Sequence, residues 1–282
     1  MLGHLAIFGV VGAIMVVNAV LLAQMGDKVA TEQETLEEAV RPAALELIRI
    51  VDSNCKVCFD TQTMVASLKN VQDLTIAKEE AIEYTSDAGV ELLKKYALTR
   101  VPALLIRGEL DKAFTKAPAL ENVGTRNTDG TLLVSNIPPP YIDVASGAVK
   151  GTFTMTYLAD ASCQECYDVA SHRRALQGLA MTPSEEKILD LTEAEGRALV
   201  TKYQITSVPT ILLSGDLQEY AQFAQVWPQV GTVEKDGTHV FRAGQQLMGA
   251  YKDLKTGKVV KPAPPEQVPT EPSTPAPITN NQ

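Results

Sequence analysis

Several residue types are scarce in this chain, and their scarcity narrows what it can do. Among 282 residues there are four cysteines, three histidines and one tryptophan, and aromatic residues make up 5%. The net charge is −9, with no dense run of lysine and arginine. Because such an acidic balance repels phosphate backbones, nucleic acid is not an expected partner. It also gives no polybasic contact with anionic lipids.

Motifs for cofactor chemistry are missing as well. The chain has no Gly-rich phosphate loop, and nothing indicates a Ser-His-Asp arrangement. His4, His172 and His239 lie too far apart in the sequence to suggest a ligand cluster. His172 is predicted to be an exposed helix residue and not a ligand. We therefore expect no cofactor and no bound metal.

Fully charged side chains are absent from Leu2 to Met25. A helix of these residues, at 1.5 Å per residue, is about 36 Å long, which is enough to cross a bilayer core. The sequence therefore predicts a transmembrane anchor over residues 1–25. A cleaved signal peptide is the alternative, with Leu21-Leu22-Ala23 as a faint cleavage pattern. Against it, the basic n-region is missing and the apolar run is long.

What the chain does contain is an internal repeat. Its four cysteines form two pairs with the same spacing, and each pair is followed by a Val-Pro step. The first cysteines of the pairs are 108 residues apart (163 − 55), and the prolines are 107 apart (209 − 102). Thiols kept in two identically placed pairs indicate chemical use rather than core packing. The residues are Cys55, Cys58, Val101 and Pro102 in the first repeat, and Cys163, Cys166, Val208 and Pro209 in the second.

Each repeat has the pattern of an α/β domain. An apolar strand precedes the cysteine pair, a helix is predicted to begin at the pair, and further strands and a helix follow. Asp-Gly hairpin signals at positions 129–130 and 236–237 extend the similarity. We predict strands over residues 45–51, 74–84, 103–106, 153–158, 187–191 and 210–213, and helices over 56–69, 87–96, 163–176 and 193–203.

The repeat also sets the predicted domain boundaries. The first repeat takes residues 43–148 and the second takes residues 149–261. Residues 26–42 are Glu-rich and are predicted to form a juxtamembrane helix or linker. Residues 262–282 contain seven prolines among polar residues, which predicts a disordered tail.

A strand, a CxxC pair at the start of a helix, and a Val-Pro before a later strand together resemble the thioredoxin family. The resemblance covers residues 43 to about 135 and 151 to about 242. It implies an α/β fold of two tandem thioredoxin-like domains, each a central mixed sheet flanked by helices, behind the N-terminal transmembrane helix. It also implies that Pro102 and Pro209 are cis, and that Val101 and Val208 offer their backbone to an extended substrate.

The same resemblance assigns roles to the cysteines. Cys55 and Cys163 would be the nucleophiles, while Cys58 and Cys166 would resolve the mixed disulfide. A first cysteine at a helix N-terminus would have its thiolate stabilised by unpaired N–H groups and by the helix dipole.

The residues between the cysteines differ in charge from one pair to the other. Lys56 should favour the Cys55 thiolate, whereas Glu165 should disfavour the Cys163 thiolate. We therefore expect the first pair to be the more oxidising of the two.

The chain departs from thioredoxins near each pair. Asn54 or Ser162 replaces the tryptophan before the first cysteine, and Arg49 and Tyr157 stand where thioredoxins carry a buried acid. Proton handling must therefore differ. These departures keep open a second interpretation, in which the folds bind clients or assembly partners and the disulfides are structural. Metal carriage by the dithiols is a third, disfavoured because no Met or His lies around the pairs.

The leading hypothesis is a membrane-anchored thiol–disulfide oxidoreductase or isomerase. Its substrates would be cysteine-containing extracytoplasmic proteins, because paired cysteines are typical of oxidising compartments. The predicted location is the cell membrane, with one crossing and the soluble part outside the cytoplasm. A redox partner in the membrane is a further candidate.

Overall fold

The computed structural model describes residues 32–262 together with Met25 and Lys28. The predicted anchor, apart from Met25, and the predicted tail beyond Pro262 lie outside the described residues. Within the described part, no helix is both long enough and apolar enough to span a membrane. Residues 32–40 form helix α1, inside the segment predicted to be a juxtamembrane helix.

The elements of the first repeat follow the predicted order. They are β1 (Ala43–Val51), α2 (Gln62–Lys69), β2 (Leu74–Glu83), α3 (Asp87–Lys95), β3 (Arg100–Val101), β4 (Ala103–Gly108), α4 (Leu110–Lys116), a 3-10 turn (Pro118–Asn122), β5 (Thr125–Arg126), β6 (Leu132–Val134), β7 (Tyr141–Asp143) and β8 (Val149–Lys150).

The elements of the second repeat follow the same order with two differences: its 3-10 turn precedes the helix α7, whereas in the first repeat it follows α4, and it has one extra short helix, α8. They are β9 (Phe153–Ala159), α5 (Ser171–Gln177), β10 (Glu185–Asp190), α6 (Ala194–Tyr203), β11 (Ser207–Val208), β12 (Thr210–Gly215), a 3-10 turn (Leu217–Glu219), α7 (Ala221–Val230), β13 (Gly231–Val233), β14 (His239–Phe241), α8 (Gln245–Met248), β15 (Tyr251–Asp253) and β16 (Val259–Val260).

Both repeats build the same five-stranded mixed sheet. The strand orders are β2-β1-β4-β6-β5 and β10-β9-β12-β14-β13. In each, the strand before the cysteine pair runs parallel to the next strand and antiparallel to the strand after the proline. This order and these directions are those of the thioredoxin fold. The predicted α/β class with two thioredoxin-like folds is therefore confirmed.

The strand that precedes the cysteines lies at the centre of the core, because its residues alternate between the two faces of the sheet. In β9, Phe153, Met155 and Tyr157 pack into a cluster on one face of the sheet, together with residues of α5 and α7. Leu158 packs on the other face with Leu189 of β10. Burial on both faces fixes this strand, and with it the position of the turn that follows.

One glycine in each repeat allows a helix to approach a strand end closely. A Cβ added at Gly89 of α3 would lie 2.1 Å from the carbonyl oxygen of Glu83, and one added at Gly196 of α6 would lie 2.3 Å from that of Asp190. Because real Cβ atoms do not come this close to a carbonyl oxygen, both helices depend on a glycine here.

The repeat extends to hydrogen bonds that are far apart in sequence. The Tyr96 hydroxyl donates to Asp129 of the first Asp-Gly turn at 2.8 Å, and the Tyr203 hydroxyl donates to Asp236 of the second at 2.9 Å. Both turns have their glycine at positive φ, as a hairpin turn requires. The predicted hairpins are therefore confirmed, and each is held by a tyrosine at the C-terminal end of an earlier helix, α3 in the first repeat and α6 in the second.

The described chain separates into two compact units. One takes residues up to Ser53 together with Asp60–Asn136, and the other takes Asn54–Phe59 and the chain from Ile137 onward. The first sheet lies in the first unit and the second sheet in the second unit. The predicted domain boundaries after residues 148 and 261 stay a prediction.

Candidate active site

All four cysteines are joined within their pairs. Cys55 is bonded to Cys58, and Cys163 is bonded to Cys166, with Cα atoms 5.4 Å apart in both. Each pair lies in the turn that follows the central strand of its repeat, and all four residues are half-buried. Both disulfides are therefore within reach of a thiol from solution.

Neither pair lies at the start of a helix, which corrects the sequence prediction. The helix predicted over residues 56–69 begins at Gln62, and the helix predicted over residues 163–176 begins at Ser171. The cysteines occupy turns and bends before these helices. Stabilisation of a thiolate by a helix dipole, which falls off beyond the first turn, is therefore not available to them.

Aspartates that bond to nearby backbone explain the late helix starts. Asp160 accepts hydrogen bonds from the Ser162 N–H at 2.9 Å and the Ser162 hydroxyl at 2.5 Å, and its carbonyl accepts the Cys163 N–H at 2.9 Å. Asp168 accepts from the Ala170 N–H directly before α5. Such local bonds offer the backbone an alternative to the helix.

The first repeat also has an aspartate that accepts a backbone N–H directly before its helix. Asp60, which corresponds to Asp168, accepts a hydrogen bond from the Gln62 N–H at 2.8 Å where α2 begins. This acid after each pair is the sequence signal that could have indicated the true helix start.

Both Val-Pro peptide bonds are cis, as the resemblance to thioredoxins implies. In the second repeat, the Sγ of Cys166 lies 3.9 Å from the carbonyl oxygen of Val208, so the disulfide and the cis-proline strand are neighbours there. A third cis bond, Pro139-Pro140, was not predicted, although three consecutive prolines mark the place.

A tyrosine directly after the second pair bonds to the carbonyl of the cis proline. The Tyr167 hydroxyl donates to the Pro209 oxygen at 2.7 Å and also contacts Nε2 of His172 at 2.9 Å. Since its one proton goes to Pro209, we assign the Nε2 proton to His172, which then donates to the hydroxyl oxygen. Burial raises the pKa of Tyr167 above its ordinary range and keeps it a donor.

His172 is buried, which corrects the prediction that it is an exposed helix residue. Only 3% of its surface is accessible, and its ring packs edge-on against Phe241 at 4.6 Å. Burial lowers the pKa of His172 to about 4, so the ring is neutral at neutral pH. Sequence reasoning missed this because Tyr167, its hydrogen-bond partner, precedes the helix and shows no helical spacing with it.

Charged residues surround the second pair. Lys252 lies 2.5 Å from Asp160, whose side chain is only 7% exposed. Burial alone would raise the pKa of Asp160, but its bonds from Lys252 and Ser162 together hold it below the ordinary value. Glu165, between the two cysteines, forms an ion pair with Lys261. A cation therefore opposes the charge predicted to disfavour the Cys163 thiolate.

The two positions that depart from the thioredoxin acid have partners of their own. The Tyr157 hydroxyl donates to Glu186 at 2.5 Å, and burial together with this acceptor raises the pKa of Tyr157. The Nε of Arg49 lies 3.6 Å from Glu79. Neither side chain is an acid that could move a proton to a resolving thiol.

The first pair has one contact of the same kind as the second. The Phe59 N–H donates to the Pro140 carbonyl at 2.8 Å, as the Tyr167 N–H donates to the Ala250 carbonyl at 2.7 Å.

Among the described residues, no three His, Cys, Asp or Glu side chains come together as a metal site would require.

Matches to known proteins are weak. No protein-family model matches the chain, and no curated protein does. Two similar solved structures are the NTD_N/C domain of the alkylhydroperoxide reductase AhpF from Enterococcus faecalis (V583) and a cysteine-to-alanine mutant of AhpF from the same strain. Each is 15% identical over 67% of this chain and 90% of the other, with TM-scores of 0.21 and 0.20. At these values the matches carry no conclusion, and the fold rests on the strand order.

Proposed function

We propose that the chain is a thiol–disulfide oxidoreductase or isomerase that exchanges disulfides with cysteine-containing proteins at its two CxxC pairs. The observation that carries this proposal is the half-buried Cys163–Cys166 disulfide, 3.9 Å from the main chain that enters the cis proline. A structural disulfide needs neither partial exposure nor this neighbour. The first pair has the same spacing, the same fold before it and its own cis proline.

The exchange runs through a mixed disulfide. A client thiolate attacks Sγ of Cys163, the Cys163–Cys166 bond breaks, and Cys166 leaves as a thiolate that takes a proton from solvent. A second client thiolate then attacks the client sulfur and expels Cys163. The client loses two electrons and gains a disulfide, and the protein gains two thiols. The reverse sequence reduces a client disulfide.

Reduction potentials test this proposal. Each pair would be measured in the full-length chain by glutathione titration with mass-spectrometric trapping, using serine variants that leave one pair at a time. Potentials between about −120 and −270 mV are those of exchange catalysts. Values well below about −300 mV for both pairs would mark structural disulfides and sink the proposal.

The proposal includes a place of action. Residues 1–25 would anchor the protein in the cell membrane, with both pairs on the extracytoplasmic side and a redox partner in the membrane. The uncharged stretch from Leu2 to Met25 and the oxidised cysteines support it. After mild reduction of intact cells, a membrane-impermeant maleimide should label the cysteines. Labelling only after lysis would contradict this orientation.

A second candidate is a binding module with structural disulfides. The position of both pairs before the helix, away from its dipole, favours it. The same titration separates the two, because a binding module needs no accessible dithiol state.

A further inference from the structure

The cis-proline strand of the second repeat is already paired on one edge by the chain itself. β11 lies antiparallel to β15, with Val208 opposite Lys252. The Leu254 N–H donates to the Thr206 carbonyl at 2.8 Å. Hydrogen-bonded pairs alternate along an antiparallel ladder, so Val208 and Lys252 form the next one. The N–H and the carbonyl of Val208 are therefore both hydrogen-bonded to Lys252. This differs from the expectation that they are offered to a substrate.

The strand that covers β11 is fastened to the CxxC loop, defined as residues 160–167. Lys252 of β15 pairs with the buried carboxylate of Asp160, and the Ala250 carbonyl accepts the Tyr167 N–H. β15 and the residue before it thus contact both ends of the CxxC loop, and β15 also pairs with β11. Its other edge is covered by β16, through pairs that place Tyr251 opposite Val260.

The free edge beyond β16 is a poor replacement. β16 has two residues, and Pro262 follows two positions later, without an N–H to donate. A short edge followed by a proline offers an added strand very few main-chain hydrogen bonds. An extended client segment that adds to a sheet edge therefore has no edge to join beside Cys163 while the hairpin is in place.

We propose that the β15–β16 hairpin determines which substrates the second pair accepts. The hairpin occupies the position where an extended client would pair. The pair therefore reacts with small disulfides, and with cysteines on chain ends or tight turns, whose neighbouring residues need no strand pairing. This inference rests on the proposed exchange function and narrows its substrate class. Extended clients react only through the minor population in which the hairpin has left β11.

A glycine in the hairpin turn allows a clean test. Gly257 has φ +69°, and nothing lies within 4 Å of an added Cβ. Gly257→Val therefore strains the turn without a clash, since a β-branched residue is disfavoured at positive φ. Gly237 is the matched control, because it has φ +84° and the same open space but lies in the β13–β14 turn. Gly237→Val applies the same strain to a hairpin that does not cover β11.

The variants would be compared in a full-length background carrying Cys55→Ser and Cys58→Ser, reduced before the assay. The probes are hydroxyethyl disulfide and a ten-residue extended peptide whose central cysteine carries glutathione. In the peptide reaction, Cys163 attacks the cysteine sulfur and expels glutathione as a thiol. Cys166 then attacks Cys163 and releases the peptide thiol, so the probe gains the two electrons that the protein loses.

We expect Gly257→Val to raise kcat/KM for the peptide up to about tenfold, the scale of one residue forced to positive φ. Its rate with hydroxyethyl disulfide should stay within twofold of the parent rate. Gly237→Val should leave the ratio of the peptide rate to the hydroxyethyl disulfide rate unchanged. If Gly257→Val leaves the peptide rate unchanged while small-disulfide exchange is present, the hairpin does not set specificity. Absence of exchange with both probes in every variant would overturn the proposed exchange function for the second pair, and with it this inference.

Trp227, the one tryptophan, lies in the second core and reports whether each variant is folded. If Gly257→Val does not fold, amide hydrogen exchange of the parent protein gives the answer. The Val208 and Lys252 amides should be protected and stay so when the peptide is added in excess. A peptide that keeps the Val208 amide protected while the Lys252 and Leu254 amides become exposed would show that the edge is open to clients.

Discussion

The turns that hold the two cysteine pairs begin from the same fold but are stabilised differently. In the second, Tyr167 bonds to the cis-proline carbonyl and to His172, and both are buried or half-buried. The residues at the corresponding positions of the first repeat are Phe59 and Met64, which can form neither bond. The sheet hydrogen bonds of Tyr96 and Tyr203, by contrast, are the same in both repeats.

The difference shows which parts of the duplication remained under the same physical constraint. The close helix approach at Gly89 and Gly196 and the tyrosine bond to the Asp-Gly turn hold the sheet and its helix together. The residues directly after each cysteine pair are free to differ, because either a polar or an apolar pair of side chains can fill the space. Two similar folds can thus carry pairs with different chemistry.

The largest expected effect tests what the repeats share. Gly89→Ala and Gly196→Ala should each destabilise their unit by about 3 kcal/mol, because the new methyl group would lie within 2.3 Å of a carbonyl oxygen in both. Urea unfolding followed by circular dichroism measures both losses, and Trp227 fluorescence follows the second unit alone. A loss below about 1 kcal/mol in only one variant would show that the helices are not packed alike.

The second effect is a pH dependence of stability that His172 gives to the second unit and that the first repeat lacks at the corresponding position. The pKa of His172 is about 4 in the folded protein and about 6.5 when unfolded, so only the unfolded chain takes up the proton between these values. Stability of the second unit is therefore full above pH 6.5 and is lost as the pH falls toward 4. From pH 7 to pH 5 the loss should be about 2 kcal/mol.

Urea unfolding at both pH values, read from Trp227, measures this loss. His172→Met is the matched control, since Met64 fills the corresponding position in the first repeat. That variant should lose clearly less over the same range, and the remaining loss belongs to His239, whose pKa burial also lowers. An equal pH dependence in both proteins would assign the effect to another group.

The third effect is the loss of the Tyr167 hydroxyl. Tyr167→Phe leaves the Pro209 carbonyl and His172 without their partner, which should cost about 1.5 kcal/mol. In a His172→Met background, the same change should cost at least 0.5 kcal/mol less, because the double variant reproduces the apolar pair of the first repeat. Tyr220→Phe is the control, since it removes a similar bond to the Gly151 carbonyl. Additive losses in the cycle would show that Tyr167 and His172 act independently.

The sequence was sufficient to predict the repeated strands and the helices α3 and α6, because each has a local signal in its periodic apolar residues. The cis prolines follow from the resemblance to thioredoxins, and Val-Pro after CxxC is one of the features that carry it. The late helix starts were not predicted because the bonds of Asp60 and Asp160 to nearby backbone compete with helix capping. Burial of His172 and pairing of Val208 with Lys252 depend on contacts between distant residues, and no local pattern reports them.

The smallest effect concerns the predicted difference in potential between the pairs. Lys261 forms an ion pair with Glu165, so the negative charge near the Cys163 thiolate is smaller than the residues between the two cysteines suggest. Both side chains are more than half exposed, at 68% and 58%, and solvent and salt therefore screen the interaction. The Cys55 thiolate, with Lys56 beside it in the sequence, should remain more stable than the Cys163 thiolate. The difference between them should be smaller than the sequence implies.

Lys261→Gln should therefore raise the thiol pKa of Cys163 by roughly half a unit at low salt, and Glu165→Gln should lower it by a similar amount. The pH dependence of iodoacetamide alkylation, with one pair present at a time, measures these values. In 0.5 M salt both shifts should shrink, because charges at the surface are screened over a few ångströms. If Lys261→Gln has no effect at low salt while Glu165→Gln does, the ion pair does not act on the thiolate. The charge of Glu165 would then act on the Cys163 thiolate without opposition from Lys261.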